Sequence, residues 1–369
     1  MKKVSFYSLL FAIFATMILA LAACNSSDKK TEANKLSIVT TIYPEFAWTK
    51  EILGSQADSV ELTLLMKNGV DLHSYKPTAQ DIAKIASADM VVYVGGESDE
   101  WISNALKATP KKGRSEINLM EALGDRVKAE EVVEGMQAEH EEHHHHGEHA
   151  EEHEHEHHGE HAEEHEHHHD HDEHAEEHEH HHHHDHDEEV ENDEHVWLSL
   201  KNAEILVQKI AAELAKLDPA HASIYAENAN AYVAKIQSLD NEYRATVDGA
   251  ARKTVLFGDR FPFRYMVDDY GIKYYAAFVG CSAESEASFE TIAFLAGKMD
   301  SDSLPAILTI EKGNKKIATA ILAASKNSKD AQILTINSMQ SVTEQQIAEG
   351  LDYLSIMQTN LDVLKKALK

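Results

Sequence analysis

The chain has 369 residues, 43% of them hydrophobic, and a formal charge of −30. Of its 64 acidic residues, 25 fall in residues 139–194, which hold no Lys or Arg, so the remainder carries 39 acids against 34 bases. The acidity therefore belongs to one segment, and the rest is an ordinary globular composition sized for about two domains, with no basic face for nucleic acid.

In chain order, "MKK" is a short basic start, residues 4–23 are largely apolar, and the run closes on "LAAC". This is the pattern of a secretory signal peptide over residues 1–23 with a lipobox, cleaved so that Cys24 receives a lipid. Residues 24–35 are polar and read as a tether, so the folded part is expected outside the cytoplasm, anchored to the membrane. The one other cysteine is Cys281, and with Cys24 lipidated it has no intramolecular disulfide partner.

An N-terminal lobe is expected over residues 36–200. "LSIVTTIY", "SVELTLLM" and "DMVVYVGG" are rich in β-branched residues and read as strands, with "AWTKEILG" and "TAQDIAKIASA" as helices among them. Such alternation predicts a parallel sheet with helical crossovers. From Leu200 the apolar spacing changes to a 3.6 period. Leu206, Ile210, Leu214 and Leu217 form one stripe up to "DPAH". Tyr225, Ala229, Tyr232, Ile236, Leu239 and Tyr243 then continue it through a helix of about 28 residues. A helix that long suits a brace between lobes, within a helical linker over residues 201–250. In residues 251–369, "KTVLFGD", "YYAAFVG" and "AILTIE" restart the strand–helix alternation as a C-terminal lobe. The last helix lays Leu354, Met357, Leu361, Leu364 and Leu368 on one face. The expected fold is α/β: two α/β lobes joined by one long rigid helix, with a cleft between them.

Residues 139–189 contain 24 of the 27 histidines among Glu and Asp. They have no apolar periodicity and cannot offset the entropy of ordering, so a disordered loop in the N-terminal lobe is expected. Imidazole binds metal, and such a loop would hold several zinc-like ions weakly. A floppy loop offers no fixed geometry, so it is an accessory to a tight site elsewhere. Three histidines remain. His73, in "GVDLHSYKPTAQD", lies between a strand and a helix, where loops line the cleft of an open sheet. His195, in "NDEHVWLSLKNA", lies where the polar segment gives way to a helix, and His221 reads as a surface residue.

The pieces "TTIYP", "GVDLHSYKPTAQDI", "ADMVVYVGG", "DEHVWLSLKNA" and "LDPAHASIYAENANAY" resemble the zinc- and manganese-binding solute-binding proteins of ABC importers. The similarity extends over essentially the whole mature chain, and a His-rich insertion at this place is typical of the zinc branch. The resemblance implies two lobes with metal between them, His73 and His195 as ligands from the N-terminal lobe, and Zn²⁺ as the transported ion, with Mn²⁺ as second choice. The implied partners are an importer permease and its ATPase, with the receptor itself a monomer. The C-terminal lobe departs from the family pattern. Arg260 stands where a His or Glu ligand is usual, and Asn337 where an Asp is usual; arginine carries donors only and cannot ligate a cation. The substitutes at hand are Asp259, Cys281, Glu284, Glu286 and Glu311. A Cys281 thiolate with the two histidines would make a set suited to zinc, the alternative being a small thiol packed in a core. No HExxH or fixed general base accompanies the histidines, so no enzyme is expected. The second reading is a surface zinc store or adhesin in which the His-rich loop is the function.

Overall fold

The computed structural model describes residues 35–137, 191–282, 286–327 and 330–369. The expected signal peptide, Cys24 and its tether up to residue 34, and the His-rich segment lie outside the described residues, as does Glu284.

The N-terminal lobe is a parallel sheet of β1 (Leu36–Thr40), β2 (Val60–Leu64), β3 (Met90–Tyr93) and β4 (Ser115–Asn118) in the order β2-β1-β3-β4. Helices α1 (Tyr43–Leu53), α2 (Ala79–Ser87), α3 (Glu100–Ala108) and α4 (Leu119–Leu123) connect and cover it. The apolar runs of its strands follow from burial on both faces: Ile38 enters the central core while the next residue, Val39, enters an outer core with Ile85 and Ile102. The first strand stops at Thr40, three residues short of the run "LSIVTTIY". The Glu45 carboxylate accepts the N–H groups of Thr41 (2.7 Å) and Ile42 (3.3 Å), and Pro44 occupies the first turn of α1, so the chain bends into a helix there.

Two helices follow, α5 (Leu200–Leu217), capped by Ser199, and α6 (Ala222–Asp248), whose 27 residues span about 40 Å. The C-terminal lobe comprises β5 (Thr254–Phe261), α7 (Arg264–Tyr270), β6 (Lys273–Val279), α8 (Phe289–Ser301), β7 (Ala306–Ile310), α9 (Lys316–Ala324), β8 (Gln332–Ile336), α10 (Glu344–Ala348) and α11 (Tyr353–Ala367). Its strands are parallel in the order β6-β5-β7-β8, the same winding as the first lobe.

One apolar core serves both lobes. It collects the inner faces of the two sheets around α5, α6 and α11, with the α6 stripe Tyr225, Ala229, Tyr232, Ile236, Leu239 and Tyr243 at its centre. Trp48 of α1 meets Tyr353 of α11 edge-on at 5.2 Å, and the Tyr243 hydroxyl donates to the Met357 carbonyl at 2.6 Å. Opening the lobes widely would break this shared core, so the cleft is confined to small movements. Backbone bonds also cross near its mouth, from Gly69 N to Val342 O (3.1 Å) and from Glu344 N to Lys67 O (2.8 Å). In both sheets the loops that leave the carboxyl ends of the strands face this cleft, the usual ligand crevice of open parallel sheets.

Candidate metal centre

Three side chains converge in the cleft. His73 sits in a 3-10 turn, Leu72–Ser74, after β2; His195 precedes another, Val196–Leu198, before α5; Cys281 follows β6. His73 Nε2 and His195 Nε2 are 3.1 Å apart, and these atoms and Cys281 Sγ all lie within 4.8 Å of one another. Two lobes and three distant points of the chain thus supply one imidazole–imidazole–thiol set.

Each histidine is held from behind. Asp193 Oδ1 accepts both His195 N–H (2.8 Å) and its Nδ1–H (3.0 Å), which leaves a lone pair on Nε2 directed at the cluster. His73 Nδ1 lies 2.7 Å from Ser98 Oγ and 3.5 Å from Glu194 Oε2, a buried oxygen with no hydrogen bond of its own among the described residues. That lone carboxylate oxygen favours a proton on Nδ1, so His73 also turns a lone pair inward. Two facing lone pairs 3.1 Å apart repel each other, and a cation between them removes the repulsion. The spacing is close to the ~3.3 Å between two nitrogens of a tetrahedral zinc site. Glycines permit the approach. A Cβ on Gly96 would fall 2.2 Å from Glu194 Oε1, and one on Gly280 would fall 3.0 Å from His195 Cε1 and 2.9 Å from the Phe261 carbonyl.

Electrostatics keep His73 neutral and the thiol protonated. Burial pushes His73 down to about 3, with the adjacent His195 adding to the effect. Burial, and then the charges of Glu130, Asp193 and Glu194, push the Cys281 thiol well up. Glu130, itself raised by burial, hydrogen-bonds with that thiol and accepts Cys281 N–H at 3.2 Å. The same carboxylates that oppose the thiolate attract a metal cation, and a cation beside sulfur reverses the balance.

The other candidates take different places. Asp259 accepts Arg260 N (2.9 Å) and Ile310 N (3.2 Å), and burial raises its carboxyl. Glu311, also raised by burial, accepts Ser338 N (2.7 Å), Ser338 Oγ (2.8 Å) and Gln340 N (3.2 Å), bracing the loop after β8. Asn337 Oδ1 accepts Met339 N at 2.8 Å and shapes the same loop. Their oxygens are spent on backbone N–H groups and the Ser338 hydroxyl, outside the three-residue cluster. Glu286 is exposed, and His221 pairs with Asp218 at the surface. Arg260 crosses the cleft to Asp71 at 2.6 Å; burial alone would raise the Asp71 carboxyl, but Arg260 and His73 hold it below the usual range. Sequence reasoning missed Gln340, whose buried Nε2 lies 2.9 Å from His195 Nε2. It also missed Asp193 and Glu194 as supports, although their place just before His195 was a signal of sorts.

Comparison with known proteins identifies the family. The family profile described as ZnuA, zinc-uptake complex component A, periplasmic, matches residues 38–367. The chain is 31% identical over 368 residues to the zinc-binding lipoprotein AdcA of Streptococcus pneumoniae R6, covering 99% of this chain and 61% of that relative, so it spans about three fifths of the streptococcal protein. It is 30% identical over 365 residues to the high-affinity zinc uptake system protein ZnuA of Bacillus subtilis 168, covering 98% of each. The Zn(II)-bound ZnuA-like domain of S. pneumoniae AdcA superposes with a TM-score of 0.62 at 26% identity, covering 91% of this chain and 99% of that domain. The chain belongs to the ZnuA family, the periplasmic component A of zinc-uptake complexes.

Proposed function

We propose that this chain is the extracytoplasmic receptor of a zinc importer, holding one Zn²⁺ between its lobes on His73, His195 and Cys281 and handing it to an ABC permease driven by its ATPase. The observation that carries the reading is the pair of imidazole Nε2 atoms 3.1 Å apart with a thiol beside them. Two nitrogens and a thiolate suit zinc better than manganese, which prefers oxygen. The Gln340 amide, turned to present its oxygen, is a fourth donor at hand. Binding breaks the S–H bond of Cys281 and forms a metal–sulfur bond, with Glu130 beside the thiol to pass the proton on to solvent. Capture needs no other chemistry, and the chain acts as a carrier rather than a catalyst. The "LAAC" motif supports a lipid on Cys24 that keeps the receptor at the membrane near the permease. A surface zinc store alone would not need a buried cluster of fixed geometry.

The test is zinc titration of the full chain and of His73→Ala and His195→Ala. Each variant is expected to lose the tight one-equivalent class by orders of magnitude while weaker binding by the His-rich segment persists. If both variants keep that tight class, the reading fails.

A further inference from the structure

A guanidinium is an odd lining for a cleft that is to hold a cation. Arg260 Nη2 donates to Asp71 Oδ2 at 2.6 Å, and its Nη1 donates to the Ser282 carbonyl at 3.4 Å. It therefore touches the residue two before His73 and the residue just after Cys281, spanning the lobes beside the cluster. Both partners of the ion pair are largely buried, with side chains 18% and 19% exposed. Such a cation weakens the binding of every divalent ion, so its presence calls for a use beyond the pair itself.

The carboxylates around the cluster show what that use is. Asp193 is committed to His195, Glu194 to Ser98 N through Oε1 and toward His73 Nδ1 through Oε2, Glu130 to Cys281, Glu311 to the loop at Ser338, and Asp259 to two backbone N–H groups. Asp71 differs. Its Oδ1 accepts His73 N at 3.1 Å, which keeps the carboxylate beside a ligand, while its Oδ2 is held by the Arg260 side chain. That ion pair is what occupies this oxygen. We propose that Arg260 sets metal selectivity by withholding Asp71, leaving a nitrogen–sulfur donor set that zinc accepts and that the harder, oxygen-seeking Mn²⁺ does not. The inference rests on the reading of His73, His195 and Cys281 as the metal centre. Softness of the donors then decides between ions that raw charge would attract alike.

The test measures Zn²⁺ and Mn²⁺ affinities of the full chain, following free manganese by its electron paramagnetic resonance signal, in Arg260→Gln, Asp71→Asn and the double variant. The His-rich segment is common to all of them and cancels. Removing the guanidinium strengthens both ions through lost repulsion, so the ratio of the two affinities is the informative quantity. Arg260→Gln is expected to move that ratio toward manganese by about tenfold, the scale of a gained or lost partner at a metal site. Asp71→Asn alone should leave it unchanged, and the double variant should return it to the parent value. Equal gains for both ions in Arg260→Gln, or a gain that survives in the double variant, would overturn the proposal. Should Arg260→Gln fail to fold, Arg260→Lys reads the same ratio. It keeps the charge but loses the two-donor fork, so a smaller shift in the same direction is expected and an unchanged ratio overturns the idea. His73→Ala in the same assay reads the centre itself: if it keeps tight zinc, the site assignment fails whatever the ratio does.

Discussion

Asp193→Ala perturbs the centre while leaving every proposed ligand in place. One oxygen, Asp193 Oδ1, accepts both the backbone N–H and the Nδ1–H of His195. Its removal strands two buried donors, each costing the metal-free protein about 1–3 kcal/mol. It also lets the imidazole carry its proton on Nε2, where the metal must bind. Losing an outer partner of this kind costs about 10–100-fold in metal affinity, or roughly 1.4–2.7 kcal/mol. One effect runs the other way, because the Asp193 charge helps keep Cys281 protonated and its loss eases thiolate formation. Asp193→Asn separates the two, since the amide keeps an acceptor at the same place and discards the charge. Competition against a chromogenic zinc chelator reads the affinity, and thermal unfolding of the metal-free protein reads the stability. Alanine is expected to lose more affinity than asparagine. If Asp193→Ala binds zinc within about threefold of the parent, the tautomer argument is wrong.

Gly280→Ala would place a methyl 2.9 Å from the Phe261 carbonyl and 3.0 Å from His195 Cε1, and since the backbone cannot yield easily the imidazole must move. Zinc affinity by the same competition should fall about tenfold. The thiol of Cys281 is pushed up and stays protonated in the metal-free protein at neutral pH, so zinc must displace one proton there. Affinity should therefore rise about tenfold per pH unit between about pH 6 and 8. His73, pushed down to about 3, is neutral throughout and adds no slope, and Cys281→Ser should flatten the dependence.

Much of this was visible in the residues. β-branched runs marked six of the eight described strands, and the stripe from Tyr225 to Tyr243 marked the long helix within a residue of its length. The two strands that escaped are β4, a short half-exposed edge with one buried residue, and β8, whose "QILTI" repeats the pattern of β7 and was legible. A loop between strand and helix singled out His73, and the change from polar segment to helix singled out His195. Gln340 could not be read, since nothing in "INSMQS" distinguishes a surface amide from one folded onto an imidazole. The same holds for Arg260 and Asp71, 189 residues apart, whose pairing exists only once the lobes meet. Glu311 and Asp259 were plausible oxygen donors until the backbone N–H groups they satisfy became visible.

Cobalt substitution tests the central claim, a metal held between the lobes by two imidazoles and the Cys281 thiolate. Co²⁺ bound by thiolate gives an intense sulfur-to-metal band in the near ultraviolet, which histidines and carboxylates of the acidic segment cannot produce. The full chain loaded with one equivalent should show that band together with the strong visible absorption of a tetrahedral centre, and Cys281→Ser should abolish the first. Absence of the band in the parent, or its survival in Cys281→Ser, would contradict the account.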